Sequence, residues 1–171
     1  MKRLLASGLV AAAMLFAATA AASAAQQSMA SGGGKTHDGA SLGFNAKDDE
    51  TGDFNYVGVT EFPLTVNGTD IPVGSSFHGH CFDYRHVNFI SPVEARLFAE
   101  CRGDFFVDGG PPIETSVFLQ AHVIDNGEPG FNDRACIAWG LNASPGMGDP
   151  GLFVFDCGRT DNGNIQVKPA N

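Results

Sequence analysis

The chain is 171 residues long, and its 10 Lys and Arg face 19 Asp and Glu, a formal net charge of −9. That length supplies one domain with a real core rather than two. So acidic a surface repels phosphate backbones and anionic lipid, which excludes nucleic acid and a charged membrane face as expected partners.

Met1, Lys2 and Arg3 are followed by an apolar run from Leu4 to Ala22 that ends in Ala22-Ser23-Ala24. A positive start, an apolar middle and a small-x-small site make residues 1–24 a secretory signal peptide. A retained anchor is the competing reading, because the run is nearly long enough to span a bilayer. Its alanine content and the lack of a following basic cluster argue against that. Cleavage removes Lys2 and Arg3 and no carboxylate, which takes the net charge from −9 to about −11. No later segment approaches transmembrane length. The expectation is a secreted chain, extracellular or periplasmic, with no membrane span once processed.

Residues 25–39, with Ser31-Gly32-Gly33-Gly34, are small and polar and read as a flexible leader. A single β domain is expected over 40–171. Its texture is strands separated by Gly, Pro, Asn and Asp, over 40–47, 53–62, 75–90, 94–107, 114–124, 134–141, 152–157 and 163–168. In 114–124, Thr115, Val117, Leu119, Ala121 and Val123 take one face, and Glu114, Ser116, Gln120 and His122 the other. In 94–101, Ala95, Leu97, Ala99 and Cys101 oppose Glu94, Arg96 and Glu100. A short helix over 93–100 is the alternative there. The class predicted is all-β, a single antiparallel sandwich or barrel.

The four cysteines, Cys81, Cys101, Cys136 and Cys157, are even in number in an exported chain, so two disulfides are expected. Three pairings are possible. Cys81 and Cys101 lie symmetrically about the turn Ile90-Ser91-Pro92-Val93, and Cys136 and Cys157 about the loop 142–151. Each pair therefore faces itself across a hairpin, where Cβ atoms come within bonding reach. The expected bridges are 81–101 and 136–157.

Three segments carry a family resemblance. They are Gly43-Phe44-Asn45-Ala46-Lys47, then Asp125-Asn126-Gly127-Glu128-Pro129-Gly130 with Asn132-Asp133, and Gly163-Asn164-Ile165-Gln166. Together they resemble the opening strand, a characteristic turn and the closing strand of the post-COAP domain, which occurs in bacterial secreted proteins and beside choice-of-anchor modules. The resemblance spans about residues 36–168, and the stretch from Pro63 to Pro112 departs from the pattern with an extra Cys pair. It implies a β-rich extracellular domain of undefined molecular function and transfers no catalytic residue.

Asp125, Glu128 and Asp133, with Asn126 and Asn132, supply oxygen atoms for a calcium loop, although the spacing lacks the Asp-x-Asp-x-Asp-Gly of an EF-hand. Tight-turn chemistry accounts for the same residues: Asp and Asn accept left-handed backbone and Gly supplies positive φ. His78 and His80 fall on one face of a strand, with Tyr84 and His86 on the same parity and Glu94, Arg96, Glu100 and Arg102 beside them if the 81–101 register holds. Histidine with carboxylate on one sheet face suits zinc or copper, so His78, His80 and His86 are candidate metal ligands. A solvated polar face is the plainer account. Phe77-His78-Gly79-His80 resembles the metal-strand opening of copper–zinc superoxide dismutases, but that family needs six histidines and an aspartate. Only five histidines occur, one of them His37 in the leader. A cupin would place a Glu about four residues after the pair, where Tyr84 and Arg85 stand.

No Gly-x-Ser-x-Gly elbow, phosphate loop or His-Glu-x-x-His occurs. Glu61, Glu94 and Glu114 are carboxylates available for pairing in a glycosidase cleft. Phe82, Tyr84, Phe105, Phe106 and Trp139 are aromatics for stacking on sugars, although Trp139 alternates with Ile137 and Leu141 as a core residue does. The function expected is therefore a non-catalytic, cofactor-free binding or surface-structural domain with an unknown extracellular or cell-surface partner. An exported metal protein, or a carbohydrate- or calcium-binding module, is the alternative.

Overall fold

The computed structural model describes residues 27–36, 38–127, 130 and 132–170. The expected signal segment 1–24, His37 and Glu128 lie outside the described residues. The elements are β1 (Met29–Lys35), β2 (Ser41–Lys47), β3 (Thr51–Val59), β4 (Leu64–Val66), β5 (Thr69–Ile71) and β6 (Ser76–Asp83). They continue with β7 (His86–Ser91), β8 (Glu94–Phe106), β9 (Ile113–Ile124), β10 (Arg134–Gly140), β11 (Leu152–Arg159) and β12 (Asp161–Lys168). The all-β expectation holds, and between sandwich and barrel the answer is a nearly closed, barrel-like antiparallel sheet.

The sheet runs β11-β10-β9-β8-β6-β3-β2-β1-β12, with β7 beside the first half of β8. Alternation dictates which side of each strand faces inward, because successive side chains point to opposite faces. Phe77, Gly79 and Cys81 of β6, and Ala95, Leu97, Ala99, Cys101, Gly103 and Phe105 of β8, are buried. Trp139 lies at the centre of the interior with its ring 5.9 Å from Phe54, 5.9 Å from Tyr56 and 5.3 Å from Phe77. Phe105 and Phe153 also pack on Phe77, tilted at 5.0 Å and edge-on at 4.8 Å. Each such buried ring adds roughly 1.5–3 kcal/mol of apolar stabilisation.

Both disulfides form as expected. Cys136 and Cys157 are direct partners in the β10–β11 ladder, with Cα atoms 3.9 Å apart. Cys81 and Cys101 join β6 to β8 at a Cα separation of 4.3 Å. The second clasp is more elaborate than a plain hairpin. The chain breaks after Asp83, and β7 then continues along the same edge of β8 that β6 occupies.

The flexible-leader expectation is corrected over residues 29–35, which form β1 between β2 and β12. Its glycines serve close approach of backbones. A Cβ on Gly32 would lie 2.6 Å from the carbonyl oxygen of Asn164. Also unforeseen is the β4–β5 hairpin, turned through Asn67 (φ 51°) and Gly68 (φ 81°). It delivers Val66 and Ile71 into the core.

The two ends of the sheet meet at β12. β11 passes into β12 through Thr160 alone, and the β9–β10 turn covers the edge of β12 that β1 leaves free. The Asp133 carboxylate accepts the Ile165 amide at 2.6 Å and the Asn126 amide at 2.8 Å. The Asp133 carbonyl accepts the Thr160 amide at 3.0 Å. Asp125 accepts the Val167 amide at 3.1 Å and the Gly127 amide at 2.8 Å. Two carboxylates thus satisfy amides that an open sheet edge would leave to water.

Candidate functional site

The sequence points first to the histidines. His78 and His80 do project from the outer face of β6, opposite Asp104 and Arg102 of β8. Their rings pack on aromatic neighbours, His78 at 4.9 Å from Phe106 and His80 at 4.2 Å from Phe82. The glycine between them is explained by the core, since a Cβ on Gly79 would lie 2.6 Å from the Trp139 ring. Tyr84 does not share this face, a correction caused by the chain break after β6. It is buried, and its hydroxyl donates to the Asp53 carbonyl at 2.7 Å. His86 belongs to β7 and stands 3.6 Å from Glu50. Among the described residues no three His, Cys, Asp or Glu side chains gather as a metal ion would need.

Asp125 and Asp133 of the calcium reading are engaged in the backbone bonds at the β12 edge, and Asp133 is fully buried. The three candidate carboxylates of a hydrolytic pair are kept apart. Glu94 bonds His122 at 2.6 Å, and Glu114 bonds Arg102 at 2.6 Å at the other end of the β8–β9 ladder. Glu61 lies beyond β3, beside a cleft of about 320 Å³ formed with Asp38, Gly39, Ala40 and Tyr56. Burial raises its carboxyl above the ordinary range, and burial with the neighbouring Asp156 raises the Tyr56 phenol as well. Of the aromatics, Phe105 and Trp139 are core residues, while Phe82 is 69 % exposed.

The side chains that do converge stand on the outer face of β8 to β11. Register places Arg96, His122, Cys136 and Cys157 in one row across four strands. Phe98, Gln120, Ala138 and Phe155 form the next row. Between these rows and the 141–151 loop lies a cleft of about 360 Å³. Its floor is Arg96, Gln120 and His122, and its walls are Ala138, Pro145, Met147 and Phe155. The loop is fixed in place. The Leu141 amide donates to the Gly151 carbonyl at 3.0 Å, and Asn142 donates to the Asp149 carboxylate at 2.6 Å. Met147, 73 % exposed, is left at the rim.

Charge on this face is unevenly paired. Arg85 pairs with Glu100 and lies 5.3 Å over the Phe118 ring, and Arg102 pairs with Asp104 at 3.1 Å as well as Glu114. Arg96, Arg134 and Arg159 form no ion pair among the described residues. Sequence reasoning placed Arg96 on the outer face but missed Arg134 and Arg159, although a signal existed. Arg134 precedes Cys136 by two residues and Arg159 follows Cys157 by two, so a direct Cys136–Cys157 pairing sets the arginines opposite each other. Among the described residues no helix is long and apolar enough to cross a membrane. The chain matches no family model, no curated protein and no solved structure.

Proposed function

We propose that this is an exported, non-catalytic binding domain whose recognition surface is the outer face of β8 to β11. The observation that carries the proposal is the cleft itself. Polar side chains from two strands form its floor, apolar groups from β10, β11 and a braced loop form its walls, and a few placed polar groups in an apolar recess are how small ligands are oriented. Export follows from the signal-like first 24 residues, and two disulfides suit an oxidising compartment.

Membership of the post-COAP family is part of the same proposal. What supports it is that the three similar segments fall around one place: the first lies in β2, the second is the β9–β10 turn, and the third is in β12. β2 and β12 both pair with β1, and the turn caps β12. A family defined by those segments would be defined by its closure, leaving the outer faces free to vary.

The test is a thermal-shift screen of the purified chain against neutral and acidic oligosaccharides and short peptides, repeated with Phe155→Asp and Gln120→Ala. A compound that stabilises the wild type, and not the two variants, is the expected result. A compound that the wild type converts to product, with turnover abolished by one carboxylate or histidine substitution, would overturn the non-catalytic reading.

A further inference from the structure

Beside the cleft, across the Cys136–Cys157 bridge, Arg134 of β10 and Arg159 of β11 are direct cross-strand partners. Both side chains are exposed, and they line a recess of about 610 Å³ with Asn126 and Asn132 of the β9–β10 turn. Directly opposed residues in an antiparallel pair hold their Cβ atoms about 4.5–5.5 Å apart, and like charges so placed repel. An acid opposite a base would be the stabilising arrangement. Here an acidic protein, with carboxylates to spare, sets two guanidinium groups against each other and gives neither an ion pair among the described residues.

We infer that Arg134 and Arg159 form a binding site for a single oxyanion group, a phosphate, a sulfate or their monoester. Two planar guanidinium forks present paired N–H donors that match such a group bidentately. The Asn126 amide is anchored by its bond to the Asn132 carbonyl at 2.6 Å, which fixes the wall of the recess. The anion relieves the repulsion between the arginines. The net charge of −9 repels a long polyanion beyond this patch, so the ligand carries one isolated oxyanion group, free or on an otherwise neutral sugar. This site rests on the arginine register and does not depend on the cleft under the 141–151 loop.

The experiment is isothermal titration with inorganic phosphate, inorganic sulfate and glucose 6-phosphate at ionic strength held constant with chloride. Wild type, Arg134→Gln, Arg159→Gln and the double variant are compared. Saturable binding of at least one probe is expected, weakened on the order of tenfold by each single substitution and abolished in the double variant. Tighter binding of glucose 6-phosphate than of the inorganic ions places the group on a sugar, and the reverse order makes it a free ion. In anion-free chloride buffer each single variant melts at or slightly above the wild-type temperature, because a repulsion is removed; a purely structural arginine would lower it. No saturable heat with any of the three probes, or equal binding by the double variant, overturns the site.

Discussion

Two regions of this molecule are rich in charge and use it oppositely. At the seam, where the β9–β10 turn meets β12, the Asp125 and Asp133 carboxylates are consumed internally: every described bond those carboxylates make is to a backbone amide of the same chain. On the outer face of β8 to β11, Arg96, Arg134 and Arg159 have no carboxylate partner among the described residues. A buried charge without partners is costly, so the seam had to be satisfied internally. An exposed charge without partners costs little and is available to something else. Charges that the chain consumes hold the fold, and charges that it leaves over are the ones the proposed binding surface draws on.

The largest effect is expected from breaking the seam. Asp133→Ala leaves the part-buried Asn126 amide and the buried Ile165 amide without acceptors, and at roughly 1–3 kcal/mol for each amide left unpaired, the larger share at Ile165, the loss is about 4 kcal/mol by chemical denaturation. Asp133→Asn keeps one acceptor oxygen and loses about half as much. Next come the disulfides, which close loops of similar length, 20 and 21 residues, and contribute about 3 kcal/mol each on the chain-entropy model. Their environments differ. Cys81 and Cys101 are buried inside the sheet, whereas Cys157 is exposed on the outer face. A small thiol reductant under native conditions should therefore open Cys136–Cys157 first, with mass-mapped alkylation at those two positions and none at Cys81 or Cys101 until the chain unfolds.

A third comparison falls within one motif. Gly79→Ala drives a methyl into Trp139 and costs about 1–3 kcal/mol, while His78→Ala and His80→Ala on the other face of the same strand change stability by less than about 0.5 kcal/mol. The smallest effect concerns pH. Burial raises the Glu61 carboxyl, so folding favours its protonated form. The stability this adds is complete below the ordinary glutamate range and is lost as pH rises through the raised value. Glu61→Gln should flatten that part of the stability–pH curve, measured by urea titration, and leave the rest unchanged.

Much of this was legible in the chain. Segments set off by Gly, Pro, Asn and Asp gave eight strand regions, which cover nine of the twelve described strands because 75–90 merged β6 with β7; the alternation of 94–101 and 114–124 gave their faces, and the symmetry of the cysteines about two turns gave both bridges. β1 was hidden because its glycines carry no side chain to alternate; they matter through the space they leave for β12. The β4–β5 hairpin was announced by Asn67-Gly68, a strong two-residue turn signal, but its strands are only three residues each, too short to alternate visibly. Tyr84 was assigned to the histidine face because strand parity was carried through residues 83–85, where the ladder breaks. Paired histidines attracted a metal reading, yet the glycine between them answers to Trp139. The arginine pair went unnoticed since neither residue stands out in a linear pattern, and only the disulfide register brings them together.

Native-state amide hydrogen exchange at Ile165 and Val167 tests the closure of the sheet most directly. These amides point away from β1 to the free edge of β12, and with Asp133 and Asp125 as acceptors they should exchange only on global unfolding, as slowly as the amides of β8 and β9. Exchange within minutes, at the pace of an open sheet edge, would mean that the seam does not close and that its carboxylates are not what holds the two ends together.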